Sequence, residues 1–162
     1  QWMGYMEQLE RTRMYLKRLR DIYNQVPYKP DTRDYYADDV YSFFIHCYHI
    51  SDWIIHLNRL GLGKQDLDAF IDSHDELRIC ADLCNGTKHC KLKYKPRTGR
   101  QPGIASWTFS SEGVNDQMKT TKGQFYILSG SKFHDALELA ESCMKLWDEF
   151  INGLFKRKAT NA

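Results

Sequence analysis

Four polar side chains that suit acid–base catalysis recur within a short stretch of the chain. They are Arg78, Asp82, Asn85 and His89. Their spacing of four, three and four residues predicts one shared face of an α-helix, because side chains three or four positions apart are neighbours there. A neutral imidazole beside an amide and a carboxylate suits proton transfer, so we interpret these residues as a candidate catalytic site. The alternative is a solvated or interhelical polar face, with His89 capping the end of the helix.

A second polar stripe joins three histidines and one aspartate. Its members are His46, His49, Asp52 and His56. Imidazole and carboxylate groups suit zinc or iron, but one helix rarely completes a metal site alone, and no HExxH pattern is present. We therefore predict neither a metal nor another cofactor. We expect these side chains to pack at an interface together with Trp53, with Asp52 as a hydrogen-bond partner.

A basic strip begins where the His89 helix is predicted to end. Its cations are Lys88, Lys91, Lys93, Lys95, Arg97 and Arg100. The four in the middle alternate with Leu92, Tyr94 and Pro96, so a β-strand would point them all to one side. Such a strip would neutralise the phosphates of a nucleic acid. The alternative is an ordinary solvated strand face, or charge that blocks edge-to-edge pairing.

Hydrophobic periodicity predicts the elements that position these residues. Helical patterns cover 2–23, 37–60, 64–71, 73–89 and 131–155, and Ser73 with Glu76 predicts a capping box at the fourth. Short aromatic or β-branched runs at 90–95, 105–110 and 124–128 predict strands separated by turns. The predicted fold is mainly α, a bundle of four to five helices with a small antiparallel β insertion before the last one. One domain would span 1–158, with the insertion at about 90–128 and a disordered tail at 159–162.

Composition narrows the class of protein. The 162 residues fit one domain, and their 42% hydrophobic content is far from that of a disordered chain. The five cysteines are odd in number and form no CxxC motif, which favours reduced thiols and a cytoplasmic protein. No apolar run is long enough to cross a membrane. The net charge of +2 says little about partners, and no Walker, GxGxxG or GxSxG motif is present.

The stretch from Cys84 to His89, Cys-Asn-Gly-Thr-Lys-His, resembles the motif of the HEPN superfamily. That motif is an arginine, a polar residue, three variable residues and a histidine, so Asn85 and His89 match it, and Cys84 stands where the arginine would be. The segment from His49 to Trp53, combined with Asn85 to His89, also resembles a group of uncharacterised bacterial helical proteins.

The HEPN resemblance implies a helical bundle that forms a homodimer and cleaves RNA without metal, in toxin–antitoxin or defence systems. It implies that His89 activates a ribose 2′-hydroxyl, while the family's arginine would support the phosphate. Arg78 lies roughly 16 Å from His89 along the helix axis, so it could serve only the His89 of a second copy in an antiparallel dimer. Lys88 is the other candidate substitute for the missing charge.

Three functional hypotheses follow. The first is an RNA-directed protein, either a metal-independent ribonuclease or an RNA-binding protein. The second is a catalytically inactive, dimeric interaction module of the same fold with a protein partner, which the cysteine in place of arginine favours. The third is a helical-bundle metalloprotein that uses histidines from neighbouring helices.

Overall fold

The computed structural model describes residues 3–57, 61–89 and 94–160, with the side chains of 3–5 and 158 outside the description. The fold is mainly α with a small antiparallel sheet before the last helix, which confirms the predicted class. Its elements in chain order are α1 (Met3–Asn24), β1 (Val26–Pro27), α2 (Thr32–Leu57), α3 (Lys64–Asp72), α4 (Asp75–Lys88), β2 (Gly103–Glu112), β3 (Thr120–Ser129), β4 (Lys132–Asp135) and α5 (Ala136–Thr160).

Helix α2 forms the centre of the bundle. It packs against α1, α3, α4 and α5, and its buried stripe follows the helical period of its sequence. The buried apolar members of the stripe are Tyr36, Val40, Phe43, Phe44, Cys47, Ile50 and Ile54. The Tyr36 hydroxyl also donates a hydrogen bond to the carbonyl of Pro27.

Three cysteines from three helices are buried in this core. They are Cys47 of α2, Cys80 of α4 and Cys143 of α5, each no more than 1% exposed. The Cys80 thiol donates to the carbonyl of Phe44 at 3.4 Å, and the Cys143 thiol donates to that of Glu76 at 3.3 Å. All three are free thiols, and burial raises the pKa of Cys80 and Cys143 well above the ordinary value.

The sheet is built around β3, with β2 on one edge and β1 and β4 on the other. Strands β2 and β3 form a long antiparallel hairpin with a bulge between Ile104 and Ser106. Alternate residues of β3 face the core, including the fully buried Phe125 and Ile127. The predicted strands at 105–110 and 124–128 are therefore confirmed, within longer strands.

Several predicted boundaries were wrong for identifiable reasons. The chain turns back at Gly130, whose φ is 62°, and residues 132–135 then pair with β3 as β4. The last helix therefore begins only at Ala136. The Asp135 carboxylate then accepts the backbone N–H groups of Leu137 and Glu138 and caps α5. Helix α5 continues through Thr160, so residues 159 and 160 are helical instead of a disordered tail.

Two further boundaries differ from prediction. Helix α2 starts at Thr32, five residues before the predicted start at 37. The capping box is absent, because α4 begins after His74, and the Ser73 hydroxyl donates back to the carbonyl of Phe70 at the end of α3. The predicted strand at 90–95 lies largely outside the described residues, and Tyr94 and Lys95 are not in a strand. No helix in the described ranges is both long and apolar enough to cross a membrane.

Candidate nucleic-acid and catalytic site

Asp82 anchors the segment 96–102, which we call the docking loop. Its side chain is buried, with 2% exposed. The carboxylate accepts the backbone N–H groups of Arg97 and Thr98, both at 2.8 Å, and the Thr98 hydroxyl at 2.7 Å. A buried carboxylate needs such donors, since leaving its charge unpaired is costly. Asp82 thus holds the docking loop, and its predicted partnership with His89 is not formed.

Arg78 and the backbone carbonyl of Asp82 also bind the docking loop. The Arg78 guanidinium donates to the carbonyl of Arg97 at 2.7 Å and pairs with Asp75 at 3.0 Å. The Gln101 amide donates to the carbonyl of Asp82 at 2.8 Å and lies directly over Gly86, where a Cβ would approach its nitrogen to 2.2 Å. Gly86 is a packing position that the sequence analysis did not single out, although a glycine inside a helix was a signal.

Arg97 points to α3 and is not a free cation. It forms ion pairs with Asp68 at 2.8 Å and Asp72 at 2.5 Å. Burial opposes its charge, but the hydrogen bonds that the guanidinium donates to the two carboxylates outweigh that effect and raise its pKa above the ordinary value. Of the predicted basic strip, Lys88, Lys95 and Arg100 are exposed, and Lys91 and Lys93 lie outside the described residues.

The end of α4 presents Asn85, Lys88 and His89. His89 is the first residue beyond the helix, with extended backbone, and its N–H donates to the carbonyl of Asn85 at 3.2 Å. Lys88 and His89 are exposed, and Asn85 is half-buried. Cys84 is fully buried one turn earlier. Burial raises the pKa of its thiol to about 11, with the charge of Lys88 lowering it and that of Asp52 raising it.

Helices α2 and α4 run in the same direction where they meet. Cys80 contacts the carbonyl of Phe44, and Cys84, one turn later, experiences the charge of Asp52. The C-terminal halves of the two helices therefore lie side by side. This arrangement places the end of α4, with His89, toward the part of α2 that carries Asp52.

A histidine–aspartate pair on α2 is the clearest catalytic geometry in the described residues. The His49 Nδ1 lies 2.8 Å from the Asp52 carboxylate, and the two side chains are 26% and 59% exposed. A carboxylate on one ring nitrogen fixes the orientation and tautomer of the imidazole. The other nitrogen, Nε2, is then available to take or give a proton. The expected role of Asp52 as a hydrogen-bond partner is confirmed.

The other residues of the second polar stripe lie in two different parts of the structure. His46 belongs to the α1–α2 interface, where its ring stacks on Tyr15 at 4.7 Å and the Gln8 side chain donates to its carbonyl at 2.7 Å. Burial, followed by the charge of Arg11, lowers its pKa. His56 and Trp53 instead line a groove of about 660 Å³ between α2 and α3. The sequence analysis did not predict this groove, although Trp53, a large apolar residue among polar neighbours, was a signal.

The described residues do not assemble a metal site. Within them, no group of three His, Cys, Asp or Glu side chains has the geometry to hold a metal ion. His46 faces α1 while His49 pairs with Asp52, so the stripe does not converge on one point. The described part of the chain thus gives the metalloprotein hypothesis no geometric support.

Comparison with known proteins adds no relative. No family model, curated protein or solved structure matches the chain. The His49–Asp52 pair lies on α2, and Asn85, Lys88 and His89 lie at the C-terminal end of the neighbouring α4. We call this group the candidate site.

Proposed function

We propose that the protein is RNA-directed and cleaves RNA by metal-independent acid–base chemistry at the candidate site. The observation that carries the proposal is the exposed His49–Asp52 pair at 2.8 Å, on the helix beside the one that ends in His89. In such a reaction the ribose 2′-oxygen attacks the adjacent phosphorus, and the 5′-oxygen leaves. One imidazole takes the 2′-hydroxyl proton, and the other gives a proton to the leaving oxygen.

The surroundings of the candidate site support an anionic substrate. Lys88, Lys95 and Arg100 are exposed cations along and after α4, and cations at such positions attract phosphates. The proposal agrees with the HEPN resemblance, which implies a homodimer in a toxin–antitoxin or defence role. Free buried cysteines fit a reducing compartment, so we place the protein in the cytoplasm.

The test is incubation of purified protein with mixed tRNA and ribosomal RNA in EDTA. Wild type and the matched control His134→Ala, a histidine on β4 away from the candidate site, are expected to produce fragments. His49→Ala and His89→Ala are expected to slow cleavage by about 10²–10⁴-fold, the usual contribution of a general acid or base. Circular dichroism checks that each variant is folded. Intact RNA in every sample, or equal cleavage by all four proteins, would refute the proposal.

A second candidate function, a non-catalytic interaction module, is favoured by one observation. Cys84 occupies the position of the family's arginine and is fully buried, and the Arg78 guanidinium is engaged by the docking loop. Of the two candidate substitutes for that arginine on α4, only Lys88 is therefore an exposed cation. If RNA stays intact while light scattering shows a stable homodimer or complex with a protein partner, this second function replaces the first.

A further inference from the structure

Three cation–aromatic pairs lie together near the N-terminal end of α2, outside the candidate site. The Lys119 ammonium is 3.9 Å from the ring centre of Tyr28, and that of Lys29 is 5.1 Å from Tyr35. The Arg33 guanidinium is 4.4 Å from the ring centre of Trp107. Significant contacts of this kind occur about once per 70–80 residues, so three at one surface are a local concentration. We call them the cation–aromatic row.

Backbone contacts hold the row in place. The Tyr28 N–H donates to the carbonyl of Lys119 at 3.0 Å, which ties the start of the row to the β2–β3 hairpin. The Thr32 hydroxyl donates to the carbonyl of Lys29. Trp107 and Glu112 are five positions apart on β2, and Glu112 pairs with Thr120 beside Lys119. The row therefore extends roughly 17 Å along the strand.

Two of the three aromatic rings of the row are unusually exposed, while Tyr28 is half-buried. Tyr35 is 54% exposed and Trp107 is 42% exposed, although large aromatic side chains are normally among the more buried residues. Arg33 is also exposed. Its planar guanidinium over the indole presents a flat cationic face to the surroundings.

We infer that the cation–aromatic row binds a single-stranded segment of RNA. Surfaces for single strands combine cations that follow the phosphates with aromatic rings or arginine planes on which unpaired bases stack. A duplex hides its base faces and would not use such a surface. The choice of RNA rests on the proposed function, whereas the preference for a single strand rests on the row itself.

Charge alone would not make this surface bind a polyanion. Arg33 also pairs with the neighbouring Asp34 carboxylate, and Asp31 is exposed nearby. Stacking must therefore supply much of the affinity. The salt dependence should then be shallower than that of a purely phosphate-binding protein.

The row is a separate site from the catalytic one. Arg33 and Asp52 are nineteen residues apart on α2, which corresponds to about 28 Å along the helix. A strand held at the row could continue toward the candidate site. Loss of the row should therefore weaken binding of RNA without removing the groups that perform the chemistry.

The experiment measures fluorescence anisotropy of a labelled 12-nucleotide oligouridine and of a 12-base-pair RNA duplex, with His89→Ala as the background that leaves RNA uncut. The test variant carries Lys29→Gln, Arg33→Gln and Lys119→Gln. The matched control carries Lys17→Gln, Arg20→Gln and Lys145→Gln, three exposed cations on α1 and α5. A second test variant, Trp107→Leu, removes the largest ring while keeping an apolar side chain.

We expect the triple variant and Trp107→Leu each to weaken single-strand binding about tenfold, which is the usual effect of losing one stacked base. The matched control should bind within twofold of the background. The slope of log affinity against log salt should fall by at most about 2 in the triple variant. Equal affinities in test and control variants, no binding by the background, or equal affinity for duplex and single strand would overturn the inference.

The two proposals can fail separately. If the wild type leaves RNA intact but the oligouridine binds through the row, the cleavage proposal fails and the row stands. If RNA is cleaved while the row variants bind like the control, the opposite holds.

Discussion

At the scale of single residues, the same side chain can satisfy a catalytic pattern and have a structural role. Arg78, Asp82 and Asn85 lie on α4 at the spacing of one helix face, and His89 lies just beyond the end of the helix. Arg78 and Asp82 nevertheless both bind the docking loop. The spacing shows which residues share a face. It does not show what covers that face, because the covering loop comes from residues 14 to 20 positions further along the chain.

The role of Asp82 gives a stability prediction. Asp82→Asn keeps the size of the side chain but removes the charge and one acceptor, so an amide N–H₂ meets the backbone donors of Arg97 or Thr98. We expect a loss of about 2–3 kcal/mol in the free energy of unfolding, measured by urea denaturation. Asp75→Asn, on the same helix but 84% exposed at its side chain, should change it by less than about 0.5 kcal/mol. Equal stabilities would show that Asp82 does not anchor the loop.

At the scale of elements, the helical period predicted most helices of the bundle, but it gave a wrong start for the last helix. Phe133 lies at helical spacing from Leu137 and Ala140, so the sequence pattern predicts a last helix that includes Phe133. In the structure Phe133 is 57% exposed on β4, and Gly130 makes the turn that returns this strand to β3. A hydrophobic residue in phase with a helix can thus belong to a strand whose partner lies just before it in the sequence.

The candidate site shows the same limit. The positions of His49, Asp52 and Asn85 on their helices followed from spacing, and the contact of Asp52 with His49 is a local i, i+3 pair. The side-by-side arrangement of α2 and α4, the groove between α2 and α3, and the attachment of Arg97 to α3 depend on contacts distant in sequence. Periodicity contains no information about such contacts.

The attachment of the docking loop to α4 gives a prediction for Gly86. Alanine inside a helix usually stabilises by about 1 kcal/mol relative to glycine, and Gly153→Ala in α5, where nothing lies within 4 Å, should do so. Gly86→Ala should instead be slightly destabilising, because its methyl group displaces the Gln101 amide from the Asp82 carbonyl and the lost hydrogen bond offsets the gain in helix preference.

A double-mutant cycle in urea separates these two effects. In a Gln101→Ala background the clash is removed, so Gly86→Ala should become neutral or stabilising. A stabilising Gly86→Ala in the wild-type background would contradict the close approach of Gln101 to this helix.

At the scale of the whole molecule, stability should depend on pH through His46. Its pKa is lowered by burial between α1 and α2, so below the unfolded value of about 6.5 the unfolded chain binds a proton that the folded chain does not. Stability is therefore fully present above that pH and declines as pH falls from it toward the lower folded pKa. Urea denaturation from pH 7.5 to 5 should show a smaller decline in His46→Gln. His89→Gln, at an exposed position, is the control, and identical declines in all three proteins would exclude this role for His46.

Cys47, Cys80 and Cys143 place one buried thiol on each of α2, α4 and α5, and their reaction with a thiol reagent would report the opening of the bundle. A thiol reagent cannot reach Cys47, Cys80 or Cys143 in the closed state, where each is at most 1% exposed. Because the three belong to different helices, a fluctuation that separates only one helix would label them unequally. Global unfolding would label them together. The order in which mass spectrometry finds them modified would therefore distinguish subglobal opening of one helix from cooperative unfolding of the whole bundle.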